Sequence, residues 1–182
     1  ADANQVSGWR ASLKRRAGHI LIGLHWQGNP KHEQSLYSRG RSMSFDQWLP
    51  LKDLEGVEFV SIQKGAGSEQ LRTDAGLAFV EGQGDFDASF DFRDTGAVLA
   101  NCDLLISADS GVVHLAGALG VPTWVPLRWI PEWRWLLDGE ATHWYDSVRL
   151  FRQPRNGDWE SVVDRIKGEL KNLRHKRAAV IL

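Results

Sequence analysis

The stretch Leu104-Leu105-Ile106-Ser107-Ala108-Asp109-Ser110-Gly111-Val112-Val113-His114-Leu115-Ala116-Gly117-Ala118-Leu119-Gly120-Val121-Pro122 decides the fold. It reads as a buried strand, a tight polar turn, a helix of very small residues and a return to a second strand. The turn puts Asp109, Ser110 and Gly111 where a helix begins. Backbone N–H groups there have no intrahelical partner and the helix dipole is positive, so the turn suits an anion such as a diphosphate. His114 lies one helical turn beyond Ser110 on the same side. The reading therefore brings a hydroxyl, a glycine N–H and an imidazole to one point. Taken alone, the same residues also fit an ordinary N-cap and a structural histidine.

The pattern repeats on either side. His19–His25 is an apolar run of strand length, ended by the turn Trp26-Gln27-Gly28-Asn29-Pro30. Val57–Ile62 reads as a second strand, ended by Gln63-Lys64-Gly65-Ala66-Gly67, and Leu77–Val80 as a short third. Leu104–Ser107, Pro122–Leu127 and Ser147–Phe151 complete six strands. Helices are expected over Gly8–Arg16, after Ser44, after Asp94, after Ser110 and after Asp158, where Val162, Val163, Ile166 and Leu170 recur at helical spacing. Gly82–Asp91, rich in Gly and Asp, reads as loop. Strands alternating with helices predict an α/β fold: a Rossmann-like parallel sheet with helices on both faces. In such sheets ligands bind at the carboxyl ends of the strands. Those ends are Trp26–Asn29, Gln63–Gly67, Glu81–Phe92 and Asp109–Gly111.

Composition narrows the function. The 182 residues are 42% hydrophobic and 25% charged with a net charge of -1, which gives no electrostatic case for nucleic acid or a membrane surface. No apolar run reaches spanning length and no segment resembles a signal peptide, so a cytoplasmic location is expected. The single cysteine, Cys102, permits no intrachain disulfide and reads as a buried small hydrophobe. Trp124, Trp129, Trp133 and Trp135 crowd one short stretch of a chain with nine tryptophans. A core or domain interface is the preferred reading over a sugar platform. The chain begins at Ala1 without a methionine, which suggests a fragment or a processed product.

Several residues have the chemistry of a phosphate or nucleoside site. Lys64 opens a short glycine loop that is neither a Walker motif nor a dinucleotide fingerprint. Glu69 beyond it has the acceptor oxygens to hold both ribose hydroxyls. Arg41, beside Arg39 and Gly40, suits phosphate through bidentate hydrogen bonds. Asp85-Phe86-Asp87 matches the Asp-X-Asp that clamps a divalent ion in metal-dependent sugar transferases, although its glycine-rich context favours a solvated loop. No His/Cys/Asp cluster has transition-metal spacing, and there is no Gly-X-Ser-X-Gly elbow.

The order of Ile22–Pro30, Arg41-Ser42, Val60–Gly65, Asp109–Pro122, Trp133-Arg134-Trp135-Leu136-Leu137, Trp144-Tyr145 and Arg149-Leu150-Phe151-Arg152-Gln153 resembles glycosyltransferase family 9, the heptosyltransferase-like group. It is most similar to the version found behind tetratricopeptide repeats in bacterial proteins. The resemblance spans about residues 19 to 170. It implies the C-terminal half of a GT-B fold, with residues 1–18 a lead-in, 19–175 a Rossmann-like domain that binds a nucleotide diphosphate-sugar, and 176–182 a tail.

The resemblance also implies roles. Ser110, Gly111 and His114 would contact the diphosphate, with Arg41 and Lys64 as basic ligands. Asp109 would approach the donor sugar, Glu69 would hold the ribose, and Phe90, Asp91 and Phe92 would line the base pocket. No metal and no cofactor beyond the donor substrate is implied. The family's catalytic base lies in the N-terminal domain, for which this chain has no room, so no catalytic residue is expected here and the isolated chain should be inactive. That missing domain, and possible tetratricopeptide repeats, are the expected partners. Asp-Ser-Gly replaces the commoner Asp-Thr-Gly and keeps the hydroxyl. The alternative reading is a non-catalytic nucleotide-sugar sensor or a protein-interaction module whose Trp-rich segment is the partner surface.

Overall fold

In the computed structural model, residues 1–34, 39–72, 75–89 and 91–180 are described, the side chains of 177–180 excepted. Five strands form one parallel sheet: β1 (Ile20–His25), β2 (Val57–Ser61), β3 (Leu104–Ser107), β4 (Thr123–Leu127) and β5 (Val148–Arg152), in the order β2-β1-β3-β4-β5. The order reverses between β1 and β3, which places the crevice of a doubly wound sheet at their carboxyl ends.

The near-continuous apolar runs of the strands follow from burial on both faces. Ile20, Ile22 and Leu24 of β1 point to one side, toward Trp48, Leu51 and the last helix, α5 (Trp159–Val180). Leu21 and Leu105 point to the other side, toward α1 (Ala3–Ser12), α3 (Phe92–Leu99) and α4 (Gly111–Ala118). A third cluster joins Val113 of α4 to Val125, Leu127, Trp135, Val148 and Leu150. Pairing of alternate residues with opposite faces is the period-two rule of a strand, and helices cover both faces as the sequence predicts.

Several expectations are corrected. The lead-in helix is α1, which starts earlier than Gly8 because Asp2 caps it, its carboxylate accepting from the N–H groups of Asn4 and Gln5. The segment Leu77–Val80 makes no strand. It is a single bridge, Phe59 to Phe79, because a turn at Glu81 follows at once. The expected loop at Gly82–Asp91 contains α2 (Gln83–Asp87). Its one turn is anchored by fully buried Phe86 and by Gln83, whose side chain bonds both backbone groups of Ser61. Asp91, not Asp94, caps α3; Asp94 instead accepts from Trp9 Nε1 at 3.0 Å and Ser89 Oγ at 2.6 Å. The helix after Ser44 is a 3-10 helix, Phe45–Asp53, with Pro50 inside it. Of the four clustered tryptophans only Trp135 is fully buried; Trp129 and Trp133 are exposed, so the core reading fails for them.

Candidate functional site

At the switch point a cleft of about 390 Å³ opens, lined by His25, Gln27, Gly28 and Asn29 after β1, Lys64–Ala66 after β2, Phe92 of α3, and Ser110–Val112 at the start of α4. Gln63, 2% exposed, ties its two loops together. Its Oε1 accepts from the N–H groups of Trp26 and Gln27, and its Nε2 donates to the carbonyls of Gln27 and Ala66. A buried amide with all four bonds made holds a loop pair rigid.

Ser110 is extended at the N-cap position, and its hydroxyl makes no bond to the first turn of α4. It stands 3.4 Å from His25 Nδ1 and 3.5 Å from Ser107 Oγ, while Ser107 Oγ is 3.2 Å from the same nitrogen. The first N–H groups of α4 thus receive no side-chain cap from Ser110, the arrangement in which a helix start is able to accept an anion. A Cβ built on Gly111 meets nothing within 4 Å, so this backbone borders open space.

His25 is the imidazole beside Ser110, a residue that motif reasoning passed over. The available signal was its position, the last residue of a central strand at its carboxyl end. Burial, then the nearby Arg41 charge, pushes its pKa down to about 4, so it is neutral near pH 7.

His114 is not among the residues lining this cleft, and its ring is engaged by other partners. It stacks on Trp135, with ring centroids 5.6 Å apart and an interplanar angle of 12°. Its Nε2 lies 3.3 Å from Arg134 Nη1 and its Nδ1 3.1 Å from Tyr145 Oη. A guanidinium can only donate, so Nε2 is the acceptor and Nδ1 carries the proton toward the tyrosine oxygen. Burial, then Arg134, holds the His114 pKa below its ordinary value, against an upward pull from Asp109. Asp109 itself, 6% exposed, sits at the β3–α4 junction.

The remaining candidates fall around the cleft. The Arg41 guanidinium covers Gly28 so closely that a Cβ there would lie 3.1 Å from Nη2. Its buried Nε has no hydrogen bond among the described residues and sits 3.6 Å from Glu33 Oε1. The Lys64 ammonium bonds the Phe86 carbonyl and lies 3.7 Å above that ring; burial lowers its pKa, against Asp87 and Asp94. Glu69 accepts from the Gly67 N–H at 2.8 Å. Phe92 is 59% exposed at the cleft mouth, whereas the Asp91 carboxylate is engaged by the N–H and guanidinium of Arg93. Phe90 lies outside the described residues. Asp85 and Asp87 turn to separate partners, Ser12 Oγ and Gln83 Nε2, both at 2.7 Å. Among the described residues no group of three or more His, Cys, Asp or Glu side chains could hold a metal ion, and no helix is long and apolar enough to cross a membrane.

Comparison with known proteins agrees with this architecture. Residues 88–124 match the family described as glycosyltransferase family 9 (heptosyltransferase). The chain is 30% identical over 175 residues to protein FlbA of Caulobacter vibrioides, covering 94% of this chain and 28% of FlbA. Among solved structures it is similar to E. coli ADP-heptose LPS heptosyltransferase II, with a TM-score of 0.62 and 14% identity, over 98% of this chain and 53% of that one. The chain thus spans about half of the one protein and under a third of the other.

Proposed function

We infer that this chain, a heptosyltransferase-like domain of the glycosyltransferase family 9 type, binds the nucleotide diphosphate-sugar donor of a two-domain enzyme that transfers a sugar to an acceptor hydroxyl. The observation that carries the reading is the uncapped start of α4 bordering the cleft between β1 and β3. The diphosphate lies on the N–H groups of Gly111 and Val112, with Ser110, Arg41 and Lys64 as further ligands. Phe92 packs on the base and Glu69 accepts from the ribose hydroxyls. Asp109, with His114 behind it, stands at the sugar end. Fixed N–H groups and guanidinium charge stabilise the departing nucleoside diphosphate, a role that needs no metal.

A calorimetric panel of ADP, GDP, UDP and their sugars tests the reading. The chain alone should bind one nucleoside diphosphate, with equal affinity in EDTA, and transfer no sugar, because the base that deprotonates the acceptor is supplied by the missing half. Failure to bind any member, or loss of binding with EDTA, contradicts it. Transfer by the isolated chain overturns its half-enzyme part.

A further inference from the structure

A second cavity, of about 680 Å³, is separate from the cleft at the start of α4. It lies beyond the carboxyl ends of β4 and β5, walled by Trp129, Ile130 and Trp133, with Arg39 and Arg128 at its rim and Gln153 and Trp159 lining it. Trp129 is 50% and Trp133 71% exposed, yet the loop that carries them is tied to β5. Arg152 donates to the carbonyls of Trp135, Leu136, Asp138 and Gly139, and Arg149 binds Glu140 and Glu169. The loop is thus anchored on either side of Trp133, by Gln153 accepting the Trp129 N–H and by Arg152 on the carbonyls that follow. An anchored, exposed apolar wall of this kind marks a binding surface.

Gln153 says what the wall receives. Its Oε1 accepts two backbone N–H groups, of Trp129 and Gly157, both at 3.0 Å. Those two donors fix the amide orientation, so the group this cavity-lining, 3% exposed residue has left to offer is Nε2, whose two hydrogens have no partner among the described residues. Aromatic faces for C–H groups beside a buried amide donor for hydroxyl oxygens match a pyranose ring.

The two clefts adjoin. Arg39 and Gly40 line this one while Arg41 covers Gly28 of the other, and Arg134 behind the wall binds His114 of α4. With the nucleoside on the β2 side, the β4–β5 side is where the reacting sugar points. Adjacent strands are about 4.8 Å apart, so the wall stands one or two strand spacings from the diphosphate.

We propose that the Trp129–Trp133–Gln153 cleft is a saccharide site and binds the glycan acceptor. The acceptor role rests on the donor reading above; saccharide binding does not.

The test is NMR of the full chain, following the nine tryptophan indole N–H signals during titration with methyl β-D-glucopyranoside, N-acetylglucosamine and maltotriose, with a nucleoside diphosphate added separately. A saccharide should shift the Trp129 and Trp133 indoles with or without nucleotide. Trp133→Ala, at a largely exposed site, should weaken binding about fivefold or more. Gln153→Glu keeps an oxygen for both backbone donors but turns the remaining donor into an acceptor, and should weaken it as much. No shift with any of the three saccharides overturns the proposal, as does a shift that both variants retain. Binding of an apolar dye there without any saccharide shift assigns the wall to a protein partner instead. Saccharide shifts without nucleotide binding refute the donor reading alone.

Discussion

Replacing Gly111 by valine separates the anion site from the fold. Gly111 is the first residue of α4, is not among the glycines with positive φ, and has open space where a Cβ would stand. Valine there meets no neighbour within 4 Å of its Cβ. Its helix propensity differs from that of glycine by about 0.5 kcal/mol or less. For a chain of this size the melting temperature should then move by no more than about 2 °C. The ligand sees a different surface, because the branched side chain occupies the approach to the Gly111 and Val112 N–H groups. A hydrogen bond to a charged group contributes about 1.5–3 kcal/mol. Loss of two therefore weakens a nucleoside diphosphate by roughly a hundredfold or more. Calorimetry and a thermal melt on the same preparation read both effects, with Gly111→Ala as an intermediate. Native melting together with undiminished affinity in Gly111→Val would refute the assignment of the diphosphate to the α4 N-terminus.

Three further outcomes follow from the packing. His25 has a folded pKa of about 4, below the ordinary 6.5, so between those values the unfolded chain binds more protons. Its contribution, about 3 kcal/mol, is present above pH 6.5 and lost as pH falls toward 4; urea unfolding near pH 7 and near pH 4.5 should show this, and His25→Gln should remove it, whereas an unchanged pH slope in that variant contradicts the buried neutral imidazole. Burial pushes the Cys102 thiol up to about 12, so a thiol reagent should label the native chain roughly a thousandfold more slowly than an unfolded one; equal rates would place the sulfur in solvent. A Cβ at Gly117 would lie 2.5 Å from the Tyr145 ring, so Gly117→Ala should cost about 1–3 kcal/mol in denaturant unfolding and displace the His114 partner; an unaltered stability would mean that Tyr145 does not pack on α4.

The parallel sheet was legible because its central strands are continuous apolar runs, a pattern that burial on both faces demands. The α4 motif was legible for the same reason at the site: an Asp-Ser-Gly turn between an apolar strand and a small-residue helix has few structural solutions. What escaped was decided by tertiary contacts. Gly82–Asp91 carries loop residues, yet Phe86 and Gln83 find buried partners and wind it into a helical turn. Leu77–Val80 has strand composition but too little length beside β2. His114 has the spacing to face Ser110, but its stacking on Trp135 and its bonds to Tyr145 and Arg134 involve residues distant in sequence and had no local signal. His25 took the place beside Ser110 through the register of β1 against β3, which pairs it with Ser107. Arg152 and Gln153 were visible as a motif, but their bonds to the tryptophan loop depend on backbone groups that only the folded loop presents.

The most direct test of the central claim is a backbone amide NMR titration of the chain with the nucleoside diphosphate selected by calorimetry. Hydrogen bonding to an anion moves an amide proton downfield, and the geometry assigns that bond to the first turn of α4. The largest shifts should fall on Gly111 and Val112, with smaller ones at Gly28 and Gly65 across the cleft. Saturable binding that leaves the Gly111 and Val112 amides unmoved, with shifts gathered at Trp129–Trp133 instead, would contradict the claim.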